Sequence, residues 1–152
     1  MSDQVSSCRV ITCTWQNQTQ ALHGIRRRVF IDEQQVPEEL EWDEEDIVAT
    51  HFLAIYDPDT PVGVARLLSS GQIGRMCVLP EFRRSGIASQ LLTAAENEAI
   101  KQGITAVFLH AQCYISHFYA RHGYVAEGEE FMDAGIPHVA MSKSLKQVAK
   151  SP

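Results

Sequence analysis

The sequence predicts an α/β protein, an α+β mixed sheet with helices on its faces, and three observations support this fold class. Short runs rich in β-branched and aromatic residues are typical of strands. Between them lie stretches whose apolar residues recur at helical spacing. Turn-forming residues separate neighbouring runs. The length of 152 residues suits one hydrophobic core, so we expect a single domain over 1–152, with its core at about 8–143 and a frayed polar tail at 144–152.

The first half of the chain is predicted to hold one strand, one helix and an antiparallel meander. Residues 8–15 are rich in β-branched and aromatic residues, as in a strand, and residues 16–33 show helical spacing. The polar and acidic segment 34–49 predicts a loop with some short helix. Two turns then separate three strands in a hairpin and meander. These strands are predicted at 50–56, 61–69 and 73–79.

The second half is predicted to hold two helices and three strands. The clearest helix covers 86–102, where one face is apolar and a glycine follows the last turn. Residues 105–109 form a continuous apolar run, which is typical of a strand buried on both faces in a parallel arrangement. The remaining elements are a short helix at 115–122 and strands at 124–127 and 138–142. The predicted order is β-α-β-β-β-α-β-α-β-β.

Composition argues against several classes of protein. A formal net charge of −6 disfavours a general nucleic-acid binder. The sequence shows neither an apolar run near the ~18 residues of a membrane span nor a signal-peptide pattern, so we expect a cytoplasmic protein without a membrane partner. The cysteines lack C-x-x-C spacing and the histidines lack i, i+4 pairs, so we expect reduced thiols and no metal site.

The distribution of charge is more informative than its total. Residues 38–46 hold seven carboxylates and no basic residue, whereas residues 66–84 hold four arginines and one acid. The acidic segment (residues 38–46) is either a solvated loop or a surface that attracts a cation, and the arginine-rich region favours an anion.

Residues 71–89 predict where that anion binds. An apolar run stops at Pro80, a short polar link follows, and a helix then begins. The first amides of a helix lack internal partners and carry partial positive charge. Gly86 lets the backbone approach a bulky group, and Arg83 and Arg84 offer donors that suit phosphate oxygens. We therefore predict a phosphate site in this loop.

The pattern Arg-x-x-Gly-x-Ala at 83–88, between the fourth strand and a long helix, resembles the pyrophosphate-binding loop of the GNAT family of acyl-CoA N-acyltransferases. Phe118-Tyr119 followed by Gly123-Tyr124 is similar to a second segment of that family. Features such as Glu33-Gln34 and the run at 135–138 resemble the ElaA/YjcF-like subfamily. The resemblance covers about 8–143. It implies a GNAT-like fold, acetyl-CoA as co-substrate, and direct acetyl transfer to a primary amine of a small molecule, a lysine or an N-terminus.

The resemblance also implies roles for individual residues. Tyr119 matches the general acid of the family, and an amide near Val78 would lie beside the thioester oxygen. Gln112 stands where many relatives have the asparagine that holds the pantetheine arm. The expected coenzyme A contacts are Met76, Cys77, Val78, Arg83, Arg84, Ser85, Gly86, Ile87, Ala88, Ser89 and Gln112.

The acceptor side is less determined by the sequence. Glu33 and His138 belong to the subfamily pattern and are candidates for the general base, although a water chain would also serve. The acidic segment borders the acceptor side in the family fold, so its carboxylates are expected to attract a cationic acceptor. The residues expected there are Glu41, Asp43, Glu44 and Glu45.

Three further points stay open at this stage. A non-catalytic acyl-CoA sensor would share the fold and the 83–88 loop. An acyltransferase like the acyl-homoserine-lactone synthases would share the early helix and an acidic loop. A homodimer is expected from the fold alone.

Overall fold

Two antiparallel sheets lie side by side in the computed structural model, which describes residues 7–146. The strands are β1 (Cys8–Cys13), β2 (Thr50–Tyr56), β3 (Thr60–Leu67), β4 (Ile73–Val78), β5 (Ala106–Gln112), β6 (Val125–Asp133) and β7 (Ile136–Ser144). The α-helices are α1 (Trp15–Arg26), α2 (Glu38–Glu41), α3 (Glu45–Val48), α4 (Ile87–Lys101) and α5 (Ser116–Arg121). A π-helical turn over Arg27–Glu33 continues α1, and 3₁₀ turns cover Pro80–Phe82 and Cys113–Ile115.

The strand order makes β4 an edge strand of the first sheet and β5 an edge strand of the second. The first sheet has the order β1-β2-β3-β4 and the second the order β5-β7-β6, with antiparallel neighbours in both. The predicted α/β class and meander are confirmed. The helices cover both faces of the first sheet, because α1 and α4 pack against two separate hydrophobic clusters.

The two sheets meet at one parallel bridge between Gln72 and Phe108 within the described chain. The amide of Phe108 donates to the Gly71 carbonyl at 3.1 Å. A Cβ on Gly71 would lie 2.8 Å from the Ala106 carbonyl oxygen, and its φ is +96°, so glycine is required at this approach. Past the bridge, β4 and β5 have no further strand pairing among the described residues, so their facing edges are unpaired and bound a gap.

A β-bulge shapes the β4 side of that gap. Val64 pairs with Cys77 and Arg66 pairs with Gly74, so β4 carries one residue more than β3 between these pairs. The extra residue accompanies Arg75, whose φ is 50°. Bulges redirect side chains, and here the pairing of β4 with β3 resumes on both sides of the irregularity.

The second sheet departs from the prediction at two strands. The expectation that 105–109 is buried on both faces in a parallel arrangement is wrong: β5 is antiparallel to β7. Along it Val107 and Leu109 are buried, whereas Ala106 and His110 are exposed. β6 is longer than the predicted 124–127, because an irregularity between Glu127 and Phe131 interrupts the pairing without ending the strand.

The predicted boundary of the C-terminal tail also changes. Ser144 belongs to β7, and the Leu145 amide donates to the Thr105 carbonyl at 2.8 Å, so ordered structure passes the predicted end at 143. The predicted tail residues 147–152 lie outside the described residues.

Candidate active site

The loop between β4 and α4 leaves a set of backbone amides without helical partners. Gly86 precedes α4 with a left-handed φ of 86°, and Arg84 is also left-handed with a φ of 64°. The first helical acceptor is the Gly86 carbonyl, which binds the Gln90 amide at 3.1 Å. The amides of Ile87 and Ala88 therefore point out of the helix end. Such a turn at a helix N-terminus forms a concave anion site.

The two arginines of this loop have different environments. Arg83 donates from Nε to the Val78 carbonyl at 2.8 Å, and from Nη1 and Nη2 to the Glu33 carboxylate at 2.9 and 2.7 Å. Arg84 is exposed, and its guanidinium contacts no acid within residues 7–146. The guanidinium of Arg84 is thus free to donate to an anion, whereas Arg83 connects the loop to the π-helical turn.

The pairing of Arg83 bears on Glu33 as a candidate base. Its hydrogen bonds from Arg83 lower the pKa of Glu33, with the positive charge of Arg83 adding to the effect. A carboxylate held by a bidentate arginine accepts a proton poorly. In this state of the protein Glu33 is therefore an anchor for the loop, and a role as base requires Arg83 to release it.

One backbone amide of β4 points into the gap. The Leu79 amide donates to the Val62 carbonyl at 2.8 Å, so Leu79 directs its polar groups toward β3. Alternate residues of a strand direct their polar groups to opposite edges. The Val78 amide therefore faces the β5 side, where it can donate to an oxygen in the gap.

Tyr119 is positioned by aromatic packing on α5. It is 7% exposed, and its ring packs edge-to-face on Phe118 at 5.1 Å and on Tyr124 at 5.9 Å. Burial raises the pKa of Tyr119, with smaller contributions from Cys77 and Tyr114. Tyr119 shares a hydrophobic cluster with Val78 of β4. Tyr119 therefore stays protonated and acts as a hydrogen-bond donor.

Cys77 takes no chemical role through its side chain. The thiol packs into the cluster formed with Leu22 of α1 and Val29 of the π-helical turn, and burial raises its pKa. A buried, protonated thiol is a poor nucleophile. Of the predicted coenzyme A contacts on β4, Cys77 can contribute only its backbone. The side chains of Met76 and Val78 pack on the cluster beneath α4.

The second sheet supplies the opposite wall of the gap. Gln112 ends β5, and its Nε2 donates to Gln34 Oε1 at 2.9 Å. The strand register puts His138 opposite Gln112 and Phe131 opposite His138. His138 is 8% exposed, and its Nδ1 lies 2.7 Å from the Ile136 carbonyl oxygen. Since a carbonyl only accepts, Nδ1 carries a proton, and in a neutral ring Nε2 keeps the lone pair that a base needs.

The acidic segment contributes to a buried ion-pair network. Arg26 is 1% exposed, and its Nε donates to Glu41 Oε2 at 2.8 Å. Its Nη1 donates to Asp46 Oδ1 at 2.7 Å. The guanidinium also contacts the rings of Trp15 and Trp42, at 5.4 and 5.1 Å from their centroids. These contacts satisfy a charge that would be costly to bury alone.

Two arginines of the sheet complete this network. Arg66 Nη1 donates to Asp43 Oδ1 at 2.7 Å and to Asp46 Oδ1 at 3.0 Å. Arg75, turned out of β4 by the bulge, brings Nε within 3.4 Å of Glu41 Oε2. Burial acts to raise the pKa of Asp46, but the hydrogen bonds from its arginine partners outweigh it and leave that pKa lowered.

The network changes the predicted acceptor side. The expectation that Glu41 faces the acceptor is wrong, because this side chain is 1% exposed and held by two arginines. Asp43 is 36% exposed beside Arg66 and keeps an accessible oxygen. Glu44 and Glu45 are exposed. For these three the predicted attraction of a cation stays a prediction.

Several residues at the site escaped the sequence-based predictions. Gln34 was visible only as part of the Glu33-Gln34 pattern, and its contact with Gln112 spans 78 positions. Arg26 looks like an ordinary helix residue in the sequence, and Arg75 belongs to the arginine-rich region, whose contact with the acidic segment was not predicted. His122 precedes a glycine after α5, and its contact with Ser89 again joins residues far apart in the chain.

The described residues were also compared with three other kinds of functional feature: surface depressions, metal sites and membrane-spanning helices. Two surface depressions, one beside Glu96 and Lys143 and one beside Thr12 and Ile47, include no residue of the 83–89 loop. Residues 7–146 contain no group of three or more His, Cys, Asp or Glu side chains that could hold a metal ion. No helix in this part of the chain is both long and apolar enough to cross a membrane.

Sequence comparison connects this arrangement with known proteins. A sequence model described as an acetyltransferase (GNAT) domain matches residues 14–145. The uncharacterized N-acetyltransferase YjcF of Bacillus subtilis is 39% identical over 123 residues. The match covers 78% of this chain and 87% of that protein.

Solved structures show the same fold. An acyl-CoA N-acyltransferase from Pseudomonas aeruginosa is 29% identical with a TM-score of 0.80, over 90% of this chain and 99% of its own. Escherichia coli ElaA is 26% identical with a TM-score of 0.79, over 89% of this chain and 99% of its own.

Proposed function

The chain belongs to the GNAT family of N-acetyltransferases, as its motifs had indicated, and from that premise we propose that it transfers an acetyl group from acetyl-CoA to a primary amine. One observation carries the proposal. The Val78 end of β4, whose edge toward β5 is unpaired, lies beside the 83–89 loop, because Arg83 Nε donates to the Val78 carbonyl at 2.8 Å. A single extended molecule can therefore place its phosphates at the loop and its thioester along that edge. We further propose that residues 1–152 act as one domain in the cytoplasm.

Each part of the donor has a chemical match on this surface. The pyrophosphate suits the outward amides of the loop and the free guanidinium of Arg84. The pantetheine arm suits the unpaired edge of β4, where the Val78 amide can donate. Gln112 offers a side-chain amide across the gap, although it first donates to Gln34. The predicted contacts of Ser85, Gly86 and Ile87 are backbone contacts in this scheme.

The transfer itself needs no covalent enzyme intermediate. The amine nitrogen attacks the thioester carbon, a C–N bond forms, and the C–S bond breaks. The Val78 amide stabilises the negative charge on the carbonyl oxygen during the attack. Tyr119 donates a hydrogen bond to the departing sulfur, and its raised pKa keeps the proton on the phenol. The amine proton passes to His138 Nε2 or to water, and the thiolate takes a proton from solvent.

The acceptor is proposed to be an amine of a small molecule or peptide, with a preference for cationic compounds. Glu44 and Glu45 are exposed, and Asp43 is partly so, so they can raise the local concentration of a cation. A homodimer remains a prediction, to be checked by sedimentation.

A thiol-release assay tests the proposed activity. Acetyl-CoA is supplied with pools of polyamines, aminoglycosides, amino acids and peptides, and free coenzyme A is measured. We expect release that depends on one class of amine. Tight coenzyme A binding without turnover on any pool would favour a non-catalytic sensor. Turnover with acyl-carrier-protein thioesters alone would favour chemistry like that of acyl-homoserine-lactone synthases.

Tyr119→Phe tests the proposed donor to sulfur. We expect kcat to fall about 100-fold, within the range of about 10²–10⁴ for general acid catalysis, while coenzyme A binding stays unchanged. Tyr124→Phe is the matched control, since its hydroxyl donates to Glu96 at 2.7 Å and serves packing. That control should lose stability but keep kcat. Undiminished transfer by Tyr119→Phe would remove the assigned role.

A further inference from the structure

We propose that His122 is a positioning residue, which orients the Ser89 hydroxyl toward the donor's phosphates and takes up a proton when they bind. The inference rests on the proposed function, because it assumes that a phosphate occupies the 83–89 loop. It goes beyond that function by linking donor affinity to the protonation of one histidine outside the loop.

Hydrogen bonds define the state of the His122 ring. Nδ1 lies 2.9 Å from the Phe118 carbonyl oxygen, and Nε2 lies 3.0 Å from Ser89 Oγ. A carbonyl oxygen only accepts, so Nδ1 must carry a proton. Two states remain: a neutral ring whose Nε2 accepts from Ser89, and an imidazolium whose Nε2–H donates to Ser89.

These two states reverse the polarity of the Ser89 hydroxyl. With a neutral His122, the one hydroxyl proton of Ser89 points to Nε2, and lone pairs face any group in the loop. With a protonated His122, Ser89 Oγ accepts from the ring and its own proton is free to donate. Phosphate oxygens are acceptors, so a bound phosphate favours the second state. Binding and protonation are then thermodynamically coupled.

The position of Ser89 makes this coupling local. Ser89 is the third residue of α4, in the turn whose amides point out of the helix end, and it is half-buried. A hydroxyl there lies beside the proposed anion site. His122 follows α5, where its amide donates to the Tyr119 carbonyl at 2.9 Å.

The charged groups around the pair do not already supply the counter-charge. Between Ile87 and Ala95, α4 carries no ionisable side chain. Glu96 is the first acid on that helix, and its carboxylate accepts from Tyr124 at 2.7 Å and from Lys143 at 3.1 Å. α5 contributes Arg121 and His117, both exposed, and the loop contributes Arg83 and Arg84. Glu33 and Glu81, the acids that adjoin the loop, are paired with Arg83 and Arg28, so a bound phosphate can supply the counter-charge for a proton on His122.

A purely structural role would predict a different behaviour. If the Ser89–His122 contact only joins α4 to α5, its loss lowers stability and leaves the pH dependence of donor binding intact. Histidine is the side chain whose charge changes near neutral pH. The coupled role therefore predicts that donor binding depends on pH in that range. The two roles therefore separate in a titration.

Calorimetric titration with coenzyme A at several pH values, in buffers of different ionisation enthalpy, tests the proposal. We expect wild type to take up a proton on binding near neutral pH, and to bind more tightly at about pH 6 than at about pH 8. The phosphates of coenzyme A also change protonation in this range. The informative quantity is therefore the difference in proton uptake between wild type and each variant. His122→Gln can still bond to Ser89 but cannot be protonated, and we expect it to lose this proton uptake.

Ser89→Ala and His117→Gln complete the experiment. Ser89→Ala keeps the histidine but removes the hydroxyl that connects it to the phosphate. This variant should therefore lose the same proton uptake, even if His122→Gln folds poorly. His117→Gln, an exposed histidine on the same helix, should behave as wild type. Proton uptake that is equal in wild type and in Ser89→Ala overturns the proposal. Wild type that fails to bind coenzyme A at all overturns the proposed function and this inference with it.

Discussion

The acidic segment and the 83–89 loop are both strongly charged in the sequence, and the structure uses them in opposite ways. In the acidic segment, Arg26, Arg66 and Arg75 neutralise the buried carboxylates. In the loop, Arg84 and the outward amides of α4 have no anionic partner among residues 7–146. One charged region stabilises the fold, and the other is available to a ligand.

The difference lies in where the opposite charges come from. Arg26 reaches the acidic segment from α1, and Arg66 and Arg75 reach it from β3 and β4. The loop has one such partner, Glu33, and it occupies only Arg83. A run of charged residues therefore indicates a binding site only where the fold does not already pair those residues with groups of opposite charge.

The largest expected effect is on the network of the acidic segment. Arg26→Met leaves Glu41 and Asp46 buried without their main partner, and breaking a buried pair costs about 3–5 kcal/mol. We expect the free energy of unfolding to fall by that amount, measured by chemical denaturation, with a Tm lower by roughly 10 °C.

Arg27→Met is the matched control for that substitution. Arg27 pairs with Glu38 on the surface, with side chains 37% and 55% exposed. Exposed pairs contribute about 0–1 kcal/mol, so this variant should be nearly as stable as wild type. Equal losses in the two variants would contradict a structural role specific to the Arg26 network.

The next effect concerns the loop. Arg84→Ala removes the free guanidinium, and we expect coenzyme A to bind about tenfold more weakly, since a charge-assisted hydrogen bond contributes about 1.5–3 kcal/mol. The loss should shrink as salt is added. Lys101→Ala removes the same charge from the far end of α4 and should leave the affinity unchanged. Similar losses in both would indicate a general effect of charge.

Glu33→Gln tests the one ion pair that connects the loop to an acidic residue of the fold, Glu33 with Arg83. It frees Arg83 and removes a negative charge beside the loop, so we expect coenzyme A to bind a few-fold more tightly at low salt. We expect kcat to change less than about threefold, whereas loss of a general base costs about 10²–10⁴. A fall of that size in kcat would assign the base to Glu33 and leave His138 without the role.

The smallest effect is expected at the exposed end of the acidic segment. Replacing Glu44 and Glu45 together by Gln should lower kcat/KM for a cationic acceptor a few-fold at low salt. The effect is small because the substitution removes only the long-range electrostatic attraction of the acceptor. A neutral amine acceptor serves as the reference substrate. If kcat/KM for the cationic acceptor is unchanged, the segment has no part in acceptor binding.

Much of the fold could be predicted because the signals are local. The helical spacing that predicted 86–102 becomes α4, and the turns that predicted a meander connect β2, β3 and β4. The strand–loop–helix order around Gly86 also depends on neighbouring residues alone. The burial of β5 was mispredicted, because an apolar run does not say which strand will pair with it.

The sequence by itself therefore determined the order of the elements, the family resemblance and the place of the 83–89 loop. Only the tertiary structure decided that Glu41 is buried, that Arg83 pairs with Glu33 across 50 positions, and that His122 meets Ser89. The physical reason is range. Backbone conformation and loop chemistry depend on residues within a few positions, whereas ion pairs and hydrogen bonds between side chains depend on which distant segments the packed core brings together.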